Sequence, residues 1–192
     1  LRFDCHFEDF SEAFKSSGFS VFSSAVEKGG VVKAFKLPGV AMSRKDIDEI
    51  TALAVEQGAK GLAYIIYEET GPKSPILKFM SPEELKIIDE KLAPKVGDMV
   101  FFGADKREVV NKVLGAVRVA LRNRYNLVDE STLSFAWITD FPMFEKDEKT
   151  GKLDFAHNPF SSINATIEDL RNMNPEEVYG FQYDLTLNGY EI

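Results

Sequence analysis

The sequence predicts an α+β fold in which antiparallel strands alternate with amphipathic helices. Short apolar runs bounded by glycine and proline recur along the first two thirds of the chain, which is typical of β-strands. Between them lie segments whose apolar residues stand three and four positions apart, the spacing of one helix face. The two strands of each predicted β-β pair are joined by a short turn, which favours antiparallel pairing. We therefore expect a two-layer antiparallel sheet with helices on one face.

The strands of the first half are predicted from alternation and from turn residues. Residues 19–27 and 31–37 alternate like a strand pair, with Lys28, Gly29 and Gly30 as the turn between them. The run 61–69 is followed, after Gly71 and Pro72, by another at 74–80, and residues 98–104 (DMVFFGA) form a short buried strand.

The helices are predicted from their start signals and apolar stripes. Ser43 caps a helix that continues to about Gln57, with Asp46 placed as its capping-box partner. Pro82 suits the first position of a second helix, which Pro94 closes. A third helix runs from 105 to about 124. The first half therefore reads β-β-α-β-β-α-β-α.

The last third changes in character after a polar stretch at 126–134. Three strand-like runs, at 135–145, 153–161 and 183–192, each end in polar residues, and a helix is predicted around 166–171. Polar side chains at strand ends are placed to line a binding site. We therefore expect binding residues in this part of the chain.

Composition excludes several classes of protein. The chain has 192 residues, 44% of them apolar, and a formal net charge of −8. A nucleic-acid grip made mainly of phosphate contacts needs an excess of Lys and Arg, which is missing here. Arg118, Arg122 and Arg124 follow one another on the helix at 105–124. They either contact RNA or complement the dipole of a solvated helix end.

Cysteine and histidine are scarce. With one cysteine, Cys5, an internal disulfide is excluded, and a reducing cytoplasm fits this usage. Two histidines and one cysteine cannot form a usual structural zinc site. No apolar run reaches the length of a membrane-spanning helix, so we expect no membrane partner.

His157 is the first candidate for a binding residue. If residues 152–158 form a strand, Leu153, Phe155 and His157 share its inward face, and Asn158 with Pro159 ends the strand immediately afterwards. An inward polar side chain at the end of a strand can line a pocket. The alternative is a core histidine that a backbone carbonyl satisfies.

Two acids near the C-terminus are the second candidate. Asn188-Gly189 is a strong hairpin signal, and a two-residue turn places Thr186 opposite Glu191, with Asp184 as the diagonal neighbour of Glu191. Diagonal cross-strand positions are about 7–8 Å apart, so the two carboxylates can share a hydrated magnesium ion with nucleotide phosphates. The alternative is a pair of solvated acids. Asp140 either lines the same cavity or ends its strand.

The succession WITDFPMFE, AHNPFS and YDLTLNGYEI resembles bacterial-type aspartyl-tRNA synthetase, just before the third signature motif of that family's class II catalytic domain. The stretch from about Phe14 to Leu127 resembles the insertion domain that these enzymes share with some tRNA-dependent amidotransferase subunits, with GAKGLAYI and DMVFFGAD as its most telling pieces. The opening LRFD resembles the catalytic-domain tail before that insertion. The resemblance thus implies a catalytic segment at 1–13, an insertion domain at 14–130 and a second catalytic segment, part of an antiparallel class II sheet, at 131–192.

The resemblance implies a reaction in which aspartate and ATP form aspartyl-adenylate, whose aspartyl group then passes to tRNA. His157 matches the histidine that contacts aspartate, Glu191 matches the ATP-binding glutamate, and Asp184 matches its acidic partner for Mg²⁺. The family also implies a homodimeric, cytoplasmic parent enzyme.

Two features depart from the family pattern. Many bacterial members carry a second histidine where Asn158 stands, and some with this variant also charge the asparagine tRNA, so the tRNA specificity stays open. The chain also stops before the third motif, so we expect a fragment of a longer enzyme that is inactive in isolation. The alternatives are a non-enzymatic, tRNA-associated module of the amidotransferase kind and a free-standing sandwich that binds a small acid.

Overall fold

The computed structural model describes residues 2–3, 5–147 and 150–192. Leu1, Asp4, Glu148 and Lys149 lie outside the described residues, so two positions of the LRFD run and part of the predicted segment 1–13 do as well. The chain divides into two compact units. The larger unit comprises Phe3–Asp129, and the smaller unit comprises Arg2 with Glu130–Ile192.

The described part of the larger unit is built on a five-stranded antiparallel sheet with the strand order β1-β2-β5-β3-β4. The strands are β1 (Glu8–Asp9), β2 (Val31–Leu37), β3 (Ala63–Glu68), β4 (Gly71–Lys73) and β5 (Met99–Asp105). The pairing of β2 with β5 is the longest, from Val31 opposite Asp105 to Leu37 opposite Met99.

Helices cover both faces of this sheet. They are α1 (Ser11–Phe14), α2 (Ser20–Glu27), α3 (Arg44–Glu56), α4 (Pro82–Leu92) and α5 (Arg107–Tyr125). On one face, α3 and α5 pack around Phe35 and Phe101. On the other, α1, α2 and α4 pack around Ala34, Val100 and Phe102. The two-layer prediction is therefore wrong in its layering, although the α+β class with antiparallel strands is confirmed.

The three-layer arrangement follows from the two central strands. Neighbouring side chains of a strand point to opposite faces, and both Phe101 and Phe102 are fully buried. A strand that is apolar on both faces needs a covering layer on each side. The sequence signal is the lack of strict alternation: MVFF in β5 is continuously apolar, and VVKAF in β2 is interrupted only by Lys33.

Ser20–Glu27 form a helix, so the strand predicted at 19–27 is wrong. Phe22 of α2 is buried, and Phe19 and Val26 pack beside it. These positions are three and four residues apart, which is the spacing of a helix face. α2 then ends at Glu27, with Lys28 as its C-cap, and Gly29 follows with a left-handed φ of 78°.

The segment 74–80 is also irregular where a strand was predicted. The strand pairing with β3 ends at Lys73, and a single 3-10 turn spans Leu77–Phe79. Pro75 has no N–H to donate to a ladder, and the Ser74 hydroxyl accepts the N–H of Ile76 at 3.2 Å. The Ser74 side chain also donates to the Tyr64 carbonyl. The Ser74 side chain thus hydrogen-bonds to nearby backbone groups, and the segment forms a turn instead of pairing with a strand.

The described part of the smaller unit consists of short strands, one short α-helix and a 3-10 turn at Pro175–Glu177. The strands are β6 (Phe135–Ile138), β7 (Phe141–Pro142), β8 (Phe144–Lys146), β9 (Leu153–Phe155), β10 (Tyr179–Gly180), β11 (Asp184–Leu187) and β12 (Tyr190–Glu191). They pair as β12-β11-β6, β10-β7 and β8-β9. The predicted helix is present as α6 (Ile167–Leu170), with a Thr166–Asp169 capping box at its start.

Among the described residues, no helix is both long enough and apolar enough to cross a membrane.

Candidate functional site

The hairpin predicted at the end of the chain is present in the predicted register. Asn188 and Gly189 both have left-handed backbones, with φ of 55° and 87°, as a two-residue turn of this kind requires. Thr186 pairs with Glu191 and Leu187 with Tyr190. The turn is fixed at its base because the Asn188 amide oxygen accepts the N–H of Ser134 at 2.9 Å, and its own N–H donates to the Ser134 carbonyl at 2.8 Å.

The same register places Asp184 and Glu191 on one face of the three-stranded sheet. Asp184 and Thr186 are two residues apart on β11, so their side chains share a face, and Glu191 lies opposite Thr186. On β6, the partners of Asp184 and Thr186 are Ile138 and Ala136. Asp184 is half-buried and Glu191 is exposed. The face thus presents two carboxylates over small and aliphatic neighbours.

The opposite face of this sheet is aromatic. Phe135, Trp137, Leu185 and Tyr190 occupy the alternate positions, and Trp137 contacts Tyr183 edge to face with ring centroids 5.7 Å apart. Trp137 is 60% exposed and Tyr190 is 76% exposed. The two faces of one small sheet therefore differ sharply in chemistry, with the acids segregated from the aromatic rings.

His157 lies in the segment after β9, and the inward orientation predicted for it is wrong. β9 ends at Phe155, where Phe144 is its partner, so the alternation does not continue to residue 157. Leu153 and Phe155 are 43% and 50% exposed, and His157 is exposed as well. The imidazole packs edge to face on Phe141 of β7, with ring centroids 4.9 Å apart. His157 is therefore not a core histidine either.

Gln182 connects the His157 segment to β11, the strand that carries Asp184. Its side-chain Nε2 donates to the carbonyl of Asn158 at 3.2 Å, and it stands two residues before Asp184. Gly180 leaves room for it, since a Cβ at this glycine would lie 3.1 Å from Gln182 Nε2. Gln182 could not be predicted as a site residue from the sequence, because a polar residue outside a strand carries no periodic signal.

The convergence of His157 with Asp184 and Glu191 stays a prediction. Within the described residues, no group of three or more His, Cys, Asp and Glu side chains is arranged to hold a metal ion. Two carboxylates on one face are the arrangement that the structure does provide.

Asp140 ends its strand. β6 stops at Ile138, and Asp140 adopts a left-handed backbone with φ of 58° before β7 begins. Its carboxylate accepts the Thr139 hydroxyl at 2.9 Å. The run 135–145 is therefore broken into three short strands, and Asp140 marks the first break.

Two of the arginines on α5 are used inside the larger unit. Arg124 pairs with Asp46 at 3.0 Å and also with Glu49, so it ties the end of α5 to α3. Arg118 lies over the ring of Phe7, with the guanidinium carbon 4.4 Å from the centroid, and donates to the Cys5 carbonyl. Burial lowers the pKa of Arg118 from its ordinary value. Arg118 is therefore partly buried, whereas Arg124 is exposed and paired with the acids of α3.

Comparison with protein families places a known domain within the larger unit. Residues 22–114 match the GAD domain. This stretch runs from α2 into α5 and includes β2, β3, β4 and β5.

The whole chain is similar to aspartate–tRNA(Asp/Asn) ligases. It is 44% identical over 193 aligned residues to the ligase of Prosthecochloris aestuarii, covering 100% of this chain and 32% of that protein. The Bacillus mycoides ligase is 44% identical over 100% of this chain and 33% of its own length, and the Geobacillus sp. ligase is 45% identical over 100% and 32%. The resemblance found in the sequence is thereby confirmed. The chain spans about a third of the length of these relatives.

Proposed function

We propose that this chain is part of an aspartate–tRNA ligase, a class II aminoacyl-tRNA synthetase. The observation that carries the proposal is that the similarity to these ligases covers the whole chain. The relatives match the residues on both sides of the GAD domain as well as the domain itself. The larger unit would then contain the inserted domain, and the smaller unit would contribute strands of the catalytic sheet.

In this proposal the parent enzyme joins aspartate to ATP, releases pyrophosphate, and passes the aspartyl group from the adenylate to the terminal ribose of tRNA. Such a reaction proceeds by positioning and charge stabilisation, with no covalent nucleophile from the protein. The chain would supply a recognition group for aspartate and acids for the nucleotide. Homodimer formation and a cytoplasmic location are part of the same proposal.

We assign the aspartate contact to His157. Its ring is held against Phe141 and is exposed, so a nitrogen can donate a hydrogen bond to a carboxylate. A hydrogen bond to a charged group discriminates aspartate from an uncharged analogue more strongly than a neutral contact does. Gln182, which donates to the Asn158 carbonyl, would position this segment.

We assign the nucleotide to Asp184 and Glu191, which share a sheet face. Magnesium is commonly bound through one or two carboxylates together with substrate phosphates and water, so two acids fit an ion that arrives with ATP. When bound, the ion would neutralise phosphate charge. Asp184 and Glu191 would hold the ion by their carboxylates at this face of the sheet.

The names of the relatives cover both aspartate and asparagine tRNAs. We propose the same non-discriminating activity for the parent of this chain, in keeping with Asn158 after His157. The domain division that we propose is 1–13 and 131–192 for the catalytic segments and 14–130 for the insertion. The compact units differ from it at the start, because Phe3–Asp129 cluster together.

Aspartate-dependent ATP–pyrophosphate exchange tests the proposal. The intact protein that contains this chain is expected to catalyse exchange with aspartate, whereas the 192-residue chain alone is expected to be inactive. Absence of aspartate-dependent exchange in the intact protein would contradict the function. Exchange by the isolated chain would contradict its being only a part of the catalytic machinery.

The second candidate function is a non-enzymatic tRNA-associated module, which the GAD match alone would permit. It accounts for residues 22–114 and leaves the smaller unit, with its acidic sheet face, unexplained. An intact protein that binds tRNA but neither aspartate nor ATP would favour this second function.

A further inference from the structure

A cavity of about 680 Å³ lies in the larger unit between α2 and α5, beside the end of β5. Its volume is within the range of small-ligand sites, about 300–1,000 Å³. Apolar side chains from both helices and from the sheet form most of its wall, among them Phe19, Phe22, Phe102, Val110 and Val113.

The cavity exists because β3 begins later than its neighbours. The pairing of β3 with β5 ends at Ala63 opposite Phe102, whereas β2 continues along β5 as far as Val31 opposite Asp105. Residues 103–105 of β5 therefore have β2 on one side and no residue of β3 on the other. Residues 59–62, which precede β3, line the cavity instead of completing the sheet.

A backbone edge faces this gap. A Cβ at Gly30 would lie 2.5 Å from the Asp105 carbonyl oxygen, so that carbonyl points toward β2. Successive residues of a strand direct their N–H and C=O groups to opposite edges. The N–H and C=O of Ala104 therefore point toward the cavity. Because the cavity wall is mostly apolar, a ligand that forms hydrogen bonds with these two groups would be stabilised there.

The charged residues that line the cavity are mainly cationic. They are Lys28, Lys60, Lys106 and Asp105. Asp105 is engaged by Lys60, with Nζ 3.5 Å from Oδ2, which leaves Lys28 and Lys106 as the cationic excess. The chain as a whole has a net charge of −8, so this rim is opposite in sign to the molecule. An apolar wall with a cationic rim is complementary to an amphipathic anion.

We propose that this cavity binds a small amphipathic anion, a monocarboxylate with an apolar tail. The tail contacts Phe22, Phe102 and Val113, and the carboxylate lies at the rim by Lys28 and Lys106, within reach of the Ala104 edge. This site is separate from aspartate ligation and does not depend on it. An inserted domain with such a site can respond to a ligand that takes no part in the reaction.

Binding of octanoate, monitored by the backbone amide NMR signals of the 192-residue chain, tests the proposal. Octanoate is expected to shift the signals of residues 103–106 and of α2. The double substitution Lys28→Gln/Lys106→Gln should weaken octanoate about fivefold, since two partly solvated ion pairs are lost. Octanol, which has the same tail and no charge, should bind both proteins equally. A control pair on exposed helix surfaces, Lys86→Gln/Lys112→Gln, should leave octanoate binding unchanged.

A second variant separates the tail from the charge. Ser24→Phe places a large side chain on the α2 wall of the cavity and should abolish binding of both octanoate and octanol, while the dispersion of the spectrum reports that the fold is intact. The proposal is overturned if octanoate shifts only residues outside the cavity, or if the lysine substitutions weaken octanol as much as octanoate. It is also overturned if an acidic peptide binds this edge and octanoate does not.

Discussion

At the scale of single residues, the starts of α3, α4 and α6 are fixed by reciprocal side-chain contacts. Capping boxes join Ser43 to Asp46, Ser81 to Glu84 and Thr166 to Asp169. Each serine or threonine side chain accepts a backbone N–H of the first helical turn that has no partner within the helix. The acid side chain in turn accepts the backbone N–H of the serine or threonine. These motifs are local in sequence, which is why sequence analysis located the start of α3 and of α4 correctly.

Removing one cap should lower stability measurably. We expect Ser43→Ala to reduce the free energy of unfolding by about 1 kcal/mol, because the N–H of Asp46 loses its acceptor. Urea denaturation followed by circular dichroism measures this change. Ser16→Ala, at an exposed position outside the helices, serves as the control. Equal effects of the two substitutions would show that the cap contributes nothing.

The same cap gives a pH dependence with a defined sign. Hydrogen bonds from the Ser43 side chain and backbone hold the pKa of the Asp46 carboxyl below its ordinary value. A carboxyl whose pKa is lower in the folded state stabilises the fold above its unfolded pKa, and this contribution disappears as the pH falls through the folded value. We expect Asp46→Asn to be less stable than the parent at neutral pH. That difference should shrink below about pH 4. A gap that is constant with pH would contradict the assignment.

Two glycines should respond to alanine with opposite sign. A Cβ at Gly30 would lie 2.5 Å from the Asp105 carbonyl oxygen and 2.9 Å from that of Ala25, so Gly30→Ala should cost about 1–3 kcal/mol. Gly115 lies within α5 with open space around its Cβ position, so Gly115→Ala should stabilise by up to about 1 kcal/mol. Thermal unfolding of both variants tests the pair. Stabilisation by alanine at position 30 would contradict the close approach.

At the scale of secondary-structure elements, the central strands hold the larger unit together. Phe102 of β5 contacts the rings of Phe10, Phe14 and Phe22 and is almost fully buried. We expect Phe102→Ala to lower the free energy of unfolding by about 3–5 kcal/mol, since it leaves a cavity among these rings. Val119→Ala on the exposed side of α5 should change it little. The urea midpoints of the two variants measure these changes. A smaller loss of stability for Phe102→Ala than for Val119→Ala would contradict the packing described for this core.

Several elements could be predicted from sequence because their signals are local. The amphipathic stripes of α3, α4 and α5 and the Asn188-Gly189 turn fall in this group, and the turn also fixed the pairing of Thr186 with Glu191. The helix α2 was missed because Phe19, Phe22 and Val26 were interpreted as alternation, although they are three and four residues apart. The two covered faces of the sheet were missed because layering depends on contacts distant in sequence.

His157 shows the same limit within the candidate site. Alternation predicted its orientation on the assumption that β9 extends to residue 157, but the pairing with β8 stops at Phe155. Where a short strand ends is decided by its partner strand, which lies elsewhere in the sequence. The contact of the imidazole with Phe141 and the link through Gln182 are of this non-local kind.

At the scale of the whole molecule, the GAD match falls entirely within one of the two compact units. The larger unit contains the GAD match at 22–114, and the smaller unit carries the three residues assigned to aspartate and the nucleotide. The relatives are about three times as long as this chain, so the site that we propose would be completed by residues beyond it.

The most direct test measures Michaelis constants in aspartate-dependent ATP–pyrophosphate exchange by the intact protein. Replacing His157 with alanine should raise the KM for aspartate about tenfold or more and leave that for ATP nearly unchanged, since a hydrogen bond to a charged group is lost. Glu191→Gln should instead raise the KM for ATP. As a control, Glu177→Gln, which changes an exposed acid before β10, should alter neither KM. Unchanged constants for both His157→Ala and Glu191→Gln would contradict the assignment of these residues to one ligase site.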